Sequence, residues 1–267
     1  MQRKTKKRKL NKSKVIGSIL VLIAFIGICV FTVSKLKTRD TNQPETSLTT
    51  TASSTSNPSS SESESKKADL PDAHQSDWNL ILVNRENPKE ELSPDLTTIG
   101  SVQVDSRIAE ALTEFLAAAQ AIDPSEHLIS AYRSVAYQEQ LFNGYVENEM
   151  VGAAGSVNNT GQAISREEAE ANVKTYSQPA GSSEHQTGLA VDMSTIDALN
   201  QSPADVVEEV KKIAPNYGFV LRFPKGGKSS TGVDYEDWHF RYVGVENAKY
   251  MTKHNLTLEQ YLRLLPE

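Results

Sequence analysis

An uncharged run, VIGSILVLIAFIGICVFTV from Val15 to Val33, divides this 267-residue chain before any fold is considered. As a helix rising 1.5 Å per residue it would be roughly 28 Å long, close to the hydrocarbon thickness of a bilayer. The fourteen residues before it carry Arg3, Lys4, Lys6, Lys7, Arg8, Lys9, Lys12 and Lys14 and no acid. That flank is expected to stay in the cytoplasm and to place the remainder of the chain outside. The run ends CVFTVSKLKTR, without the small-residue pattern of a cleavage site, and bulky Ile28 precedes Cys29 where lipid attachment wants a small residue. The reading is therefore an uncleaved anchor: a basic cytoplasmic tail over 1–14 and a single transmembrane helix over 15–34. This places the protein at the cell membrane, single-pass, with its C-terminal part extracytoplasmic.

Residues 35–72 include TNQPETSLTTTASSTSNPSSSESES, with almost no large apolar side chain. Such a segment cannot bury enough surface to offset its ordering entropy, and it is read as a disordered linker. Residues 73–267 have globular composition and a length suited to one domain. The formal net charge is −6, so with eight cations in the basic tail the rest carries −14. An acidic exported part argues against nucleic-acid binding. Cys29 is the only cysteine, so no intramolecular disulfide is possible and the domain must rely on its core.

Hydrophobic spacing predicts a helix over Asp105–Ile122, with Ile108, Leu112, Phe115, Leu116 and Ala119 on one face. HLISAYRS reads as a strand leading into a helix, VAYQEQLFNGYVENEM. Ser165 and Glu168 open another helix as a capping box. GLAVDMS, FVLRF and WHFRYVG read as short strands, and WNLILVNREN as a β-like run. Pro203–Gly218 and TLEQYLRLL read as helices. Without a regular βαβ rhythm, the expected class is α+β: a small antiparallel sheet flanked by helices.

Two short segments stand apart. SSEHQTGLAVDMS sets His185 and Asp192 seven residues apart, and YEDWHF places Glu236 three residues before His239. An exported His/Asp/His set suggests catalytic zinc, which takes three protein ligands and leaves a fourth position for water. His185, Asp192 and His239 are the candidate ligands and Glu236 the candidate base. Residues three apart on a regular strand face opposite sides, so Glu236 and His239 can share a site only across a bend. Ser183 lacks a nucleophile elbow and is read as supporting the site by hydrogen bonding. For Arg222 and Arg241, binding a carboxylate and forming strand-surface ion pairs are both open. His74, His127 and His254 receive no role.

The two segments fit S-x-H-x-x-G-x-A-x-D and E-x-W-H. Together they resemble the zinc D-alanyl-D-alanine carboxypeptidases of the VanY type, peptidase family M15. LILVNRENP, SAYRSVAYQEQLF and GFVLRFPKGGKSSTGVDYEDWHFRYVG extend the likeness over Trp78–Leu264. The resemblance implies that His185, Asp192 and His239 bind zinc, that Glu236 is the base, and that Arg133 contacts substrate and supports the oxyanion. It places Ser134, Gln138 and Ser183 near the substrate. Ala131 stands where many relatives have glycine. The implied activity is removal of the terminal D-alanine from peptidoglycan stem peptides. The alternatives are L,D cleavage of tetrapeptide stems and a non-catalytic wall-binding module on the same fold. A wall-lysing endopeptidase is disfavoured by the anchor and by the lack of a second, wall-binding domain. Expected partners are peptidoglycan stem peptides and, through the N-terminal helix, the membrane; no protein partner is evident.

Overall fold

The computed structural model describes residues 69–197 and 201–267. The proposed basic tail, anchor and nearly all of the linker lie outside the described residues. Among the described residues no helix is long and apolar enough to cross a membrane.

The elements run β1 (Leu96–Ile99), β2 (Val102–Asp105), α1 (Ala109–Ile122), β3 (His127–Ser130), α2 (Val135–Met150), α3 (Arg166–Val173), β4 (Ala190–Ser194), α4 (Ala204–Ile213), β5 (Phe219–Leu221), α5 (Lys228–Thr231), β6 (His239–Tyr242), α6 (Val245–Lys253) and α7 (Leu258–Leu262). Strands β1 and β2 form an antiparallel hairpin. The other four form one sheet in the order β3-β4-β6-β5, with every neighbouring pair antiparallel. This is the expected α+β class.

The helix boundaries follow local chemistry. Asp105 accepts the amide of Arg107 and opens a 3-10 turn that continues into α1. Leu112, Phe115 and Ala119 recur at helical spacing and are buried. The Phe115 ring meets Phe219 at 5.0 Å and Phe240 at 5.2 Å, so α1 packs its apolar stripe onto β5 and β6. Ser134 and Ser165 cap α2 and α3 by accepting the amides of Tyr137 and Glu168. Thr257 and Gln260 form a capping box at α7.

β4 is the central feature: every residue from Ala190 to Ser194 is buried. It lies between β3 and β6, and its register sets Asp192 opposite both Ser130 and His239. A second apolar cluster joins Leu80, Val243, Tyr250, Met251, Leu258 and Tyr261 beneath α6 and α7.

Two expectations need correction. WNLILVNREN contains no strand; Trp78–Leu80 is a single 3-10 turn. Two of its carbonyls are satisfied by a distant side chain instead of a strand neighbour. Arg241 Nη2 donates to the carbonyls of Asn79 and Ile81 at 3.1 and 2.9 Å, and Asn79 Nδ2 donates to the Val243 carbonyl at 2.6 Å. The β1–β2 hairpin was not anticipated, although Val102–Asp105 alternates after Gly100, which turns with φ +59°.

Candidate active site

His185 sits in a 3-10 turn, Glu184–Thr187, that ends at Gly188 in the left-handed region with φ +70°. A Cβ on Gly188 would lie 2.7 Å from the Asp105 backbone nitrogen, so glycine is needed both for the turn and for this approach. The turn carries the chain straight into β4, which delivers Asp192. Met193 donates to the Trp238 carbonyl at 2.9 Å, and Glu236 donates through its amide to the Phe223 carbonyl at 3.2 Å. These two bonds hold the segment before β6, so Glu236 lies off the strand and His239 begins it. The bend that the Glu236–His239 spacing required is present.

His185, Asp192 and His239 converge, with one ligating atom from each lying within 4.8 Å of the others. His185 Nε2 is 3.5 Å from Asp192 Oδ1, and His239 Nδ1 is 3.4 Å from the same oxygen. Four ligands at zinc bond lengths of 2.0–2.1 Å in a tetrahedron are separated by about 3.3–3.4 Å, so the two His–Asp separations fit zinc. The hydrogen bonds agree. His185 Nδ1 donates to the Ala131 carbonyl at 2.7 Å, leaving Nε2 toward the site. His239 Nε2 faces Glu184 Oε1 at 2.9 Å, leaving Nδ1 toward the site. Asp192 Oδ2 accepts from the Ser130 hydroxyl, whereas the buried Oδ1 has no hydrogen-bond partner among the described residues. A buried, unpartnered carboxylate oxygen between two imidazole nitrogens is what a metal would satisfy.

Glu236 Oε2 is 3.3 Å from His239 Nδ1, and the carboxyl is buried. Burial pushes its pKa upward against the pull of His239. Burial and the nearby Arg133 charge push His185 down to about 3. Burial alone would lower His239, but the Glu184 and Glu236 carboxylates push it up to about 9 in the metal-free protein. Burial opposes ionisation of Asp192, but His185, His239 and Arg133 hold it below the usual carboxylate range.

Arg133 leaves β3 and reaches the same cluster, with Nη1 3.0 Å from Ser130 Oγ and 3.6 Å from Asp192 Oδ2. Its Nε donates to Gln138 Oε1 at 3.0 Å, and Gln138 Nε2 donates to the Gln178 carbonyl at 2.7 Å. Arg133, Ser183, Glu236, Tyr145, Phe223 and Trp238 line a cleft of about 690 Å³ that opens over the His/Asp/His cluster. Gln138 is buried behind Arg133 and anchors it. The Ser134 oxygen serves as the cap of α2.

The surface reading of Arg222 and Arg241 is overturned, because both are fully buried. Arg222 Nε and Arg241 Nη1 donate to Glu184 Oε2 at 2.9 and 3.0 Å, and Arg222 also grips Glu259. These arginines hold Glu184 well below the usual carboxylate range despite its burial. Glu184 and Ser130 were not singled out from the sequence. Two arginines in apolar strands, FVLRF and HFRY, signal that a buried carboxylate must lie nearby.

Two histidines and an aspartate converging at one cleft with a glutamate beside them are the side chains of a metal-dependent hydrolase. A sequence model of the VanY family, described as D-alanyl-D-alanine carboxypeptidase, matches residues 101–245, and the chain belongs to that family. It is similar to a D-alanyl-D-alanine carboxypeptidase of Enterococcus faecalis, 30% identical over 190 residues, covering 70% of this chain and 67% of that protein. Among solved structures, VanYB in complex with D-alanine-D-alanine matches with TM-score 0.61 and 30% identity, over 70% of this chain and 98% of that one. A VanY D,D-pentapeptidase mutant in complex with Zn(II) matches with TM-score 0.59 and 31% identity, over 70% and 99%. The LdcB LD-carboxypeptidase matches with TM-score 0.54 and 28% identity, over 71% and 88%.

Proposed function

We propose that this chain is a membrane-anchored zinc D,D-carboxypeptidase that removes the terminal D-alanine from peptidoglycan stem peptides. The observation that carries the reading is the convergence of His185, Asp192 and His239 on one point, with Glu236 beside it in an open cleft. The three converging residues would hold the metal. Zinc there supplies Lewis acidity toward water and the scissile carbonyl.

The remaining chemistry belongs to the chain. Glu236 takes a proton from the attacking water at its carboxylate as the new C–O bond forms, and passes it to the leaving nitrogen as the tetrahedral oxyanion collapses and the peptide C–N bond breaks. The products are the shortened stem peptide, ending in a carboxylate, and free D-alanine. Arg133, fixed through Nε by Gln138 and through Nη1 by Ser130, presents its guanidinium to the developing oxyanion. Ser183, at the cleft wall, contacts the substrate backbone. Ser134 and Gln138 support the site through α2 and Arg133.

The likeness to an LD-carboxypeptidase favours a second reading, in which the substrate is a tetrapeptide stem. The same residues serve both cuts. The deciding measurement is D-alanine release from synthetic pentapeptide and tetrapeptide stems. Preference for the pentapeptide supports the D,D assignment, and turnover of the tetrapeptide alone refutes it. A non-catalytic wall-binding module is disfavoured by the complete set of ligands and base. Membrane attachment rests on Val15–Val33 and its basic flank. Protease accessibility of the domain on intact cells, with retention in the membrane fraction, tests it.

A further inference from the structure

We infer that Glu184 is a positioning residue that dictates which nitrogen of His239 faces the metal, and that it does so because Arg222 and Arg241 leave it no other orientation. The inference rests on the metal role proposed above for His239.

The geometry leaves little freedom. Glu184 Oε2 accepts from both Arg222 Nε and Arg241 Nη1, at 2.9 and 3.0 Å. Arg222 spends Nη1 and Nη2 on Glu259, at 3.0 and 2.6 Å. Arg241 spends Nη2 on the Asn79 and Ile81 carbonyls and Nε on the Tyr242 carbonyl. Both guanidinia are therefore locked as donors, and whatever atom stands at the Oε2 position must accept. Oε1 remains for His239. A carboxylate only accepts, so His239 must carry its proton on Nε2 and turn Nδ1 toward Asp192. Glu184, Arg222, Arg241 and His239 are all buried, so water does not offer an alternative partner.

Glutamine at position 184 has nearly the same shape but opposite consequences. The two arginines claim its carbonyl oxygen, and its NH2 then faces His239 Nε2 as a donor. His239 is driven to accept at Nε2 and to place its proton on Nδ1, where the metal belongs. Glu184→Gln should therefore weaken zinc binding by about 10–100-fold, the usual cost of losing a ligand's orienting partner. Glu259→Gln is the control. It weakens the same buried ion cluster but leaves the Glu184–His239 bond in place, so its zinc affinity should stay within about threefold of the parent.

The experiment is zinc titration of the metal-free full chain against a chromophoric chelator, for the parent and both variants. Loss in Glu184→Gln alone supports the inference. Unchanged affinity in both variants, or equal loss in both, overturns it, since equal loss reports cluster stability and not ring orientation. Absence of zinc binding by the parent overturns the metal assignment itself. Nitrogen NMR of the zinc-loaded parent provides a readout independent of folding of the variants. A protonated, slowly exchanging Nε2 and a metal-bound Nδ1 on His239 are required, and a metal-bound Nε2 is incompatible with the inference.

Discussion

Ser130 and Asp192 face one another across the β3–β4 ladder, and the Ser130 hydroxyl donates to Asp192 Oδ2 while accepting from Arg133 Nη1. One small hydroxyl therefore orients both a metal-binding carboxylate and the cleft arginine. Ser130→Ala should lower zinc affinity by about 10-fold, since ligating carboxylates depend on their hydrogen-bond partners. Chelator competition measures this. Parental affinity in the variant would show that the β-sheet alone aims Asp192.

Glu236→Gln keeps the shape of the side chain and removes its basicity. Zinc content and substrate binding should persist while kcat falls by about 10²–10⁴-fold. Stopped assays of D-alanine release, paired with metal analysis, check this. A near-parental rate would assign the proton transfer to another group.

Arg133→Lys retains the charge but loses the planar donor geometry held by Gln138 and Ser130. Its kcat/KM should fall by about tenfold or more, roughly 1.4 kcal/mol of transition-state stabilisation, and Arg133→Ala should fall further. Both variants should keep their zinc. The role is wrong if both cleave stem peptides at the parental rate.

Glu126 is buried, and its Oε2 has no hydrogen-bond partner among the described residues. Burial and the charge of Asp123 push its pKa up to about 7, with Asp237 adding to the rise and His127 opposing it. The folded protein thus holds this proton more tightly than the unfolded chain. The contribution to stability is fully present below the unfolded value near 4.5 and is lost as pH rises through about 7. Glu126→Gln should raise the melting temperature at pH 8 and change it little at pH 4. The gain at pH 8 should be on the order of 1–3 kcal/mol. Equal effects at both pH values would contradict this.

Gly188→Ala places a Cβ 2.7 Å from the Asp105 nitrogen at a residue with φ +70°. A loss of about 2–4 kcal/mol is expected from strain and backbone overlap. Urea unfolding measures it. Because the turn sits between His185 and Asp192, zinc affinity should fall as well.

The metal-site residues were legible because glycine and histidine punctuate otherwise apolar sequence, and because E-x-W-H demanded a bend that the fold supplies. The helices were legible from caps and apolar spacing, as at Ser134 and Phe115. Trp78–Leu82 misled because its apolar content resembles a strand, whereas the partners of its carbonyls are donors on Arg241, far away in sequence. Glu184 escaped notice for a related reason. Its neighbours in sequence say nothing of Arg222 and Arg241, which reach it only when β5 and β6 have paired. The β1–β2 hairpin is legible only in part, from Gly100 and the alternation of Val102–Asp105, because Leu96–Ile99 sets two threonines side by side.

The placement of Asp192 between β3 and β6 has a kinetic consequence. Ser130 lies 62 positions away from Asp192, and the His239–Glu184 contact spans 55. Neither contact is local, and both must form before the cluster is complete, which places its formation late and makes it slow relative to helix formation. A partly folded chain therefore carries no hydrolytic competence. An ion captured by the finished sheet then draws the folding equilibrium toward the native state by mass action.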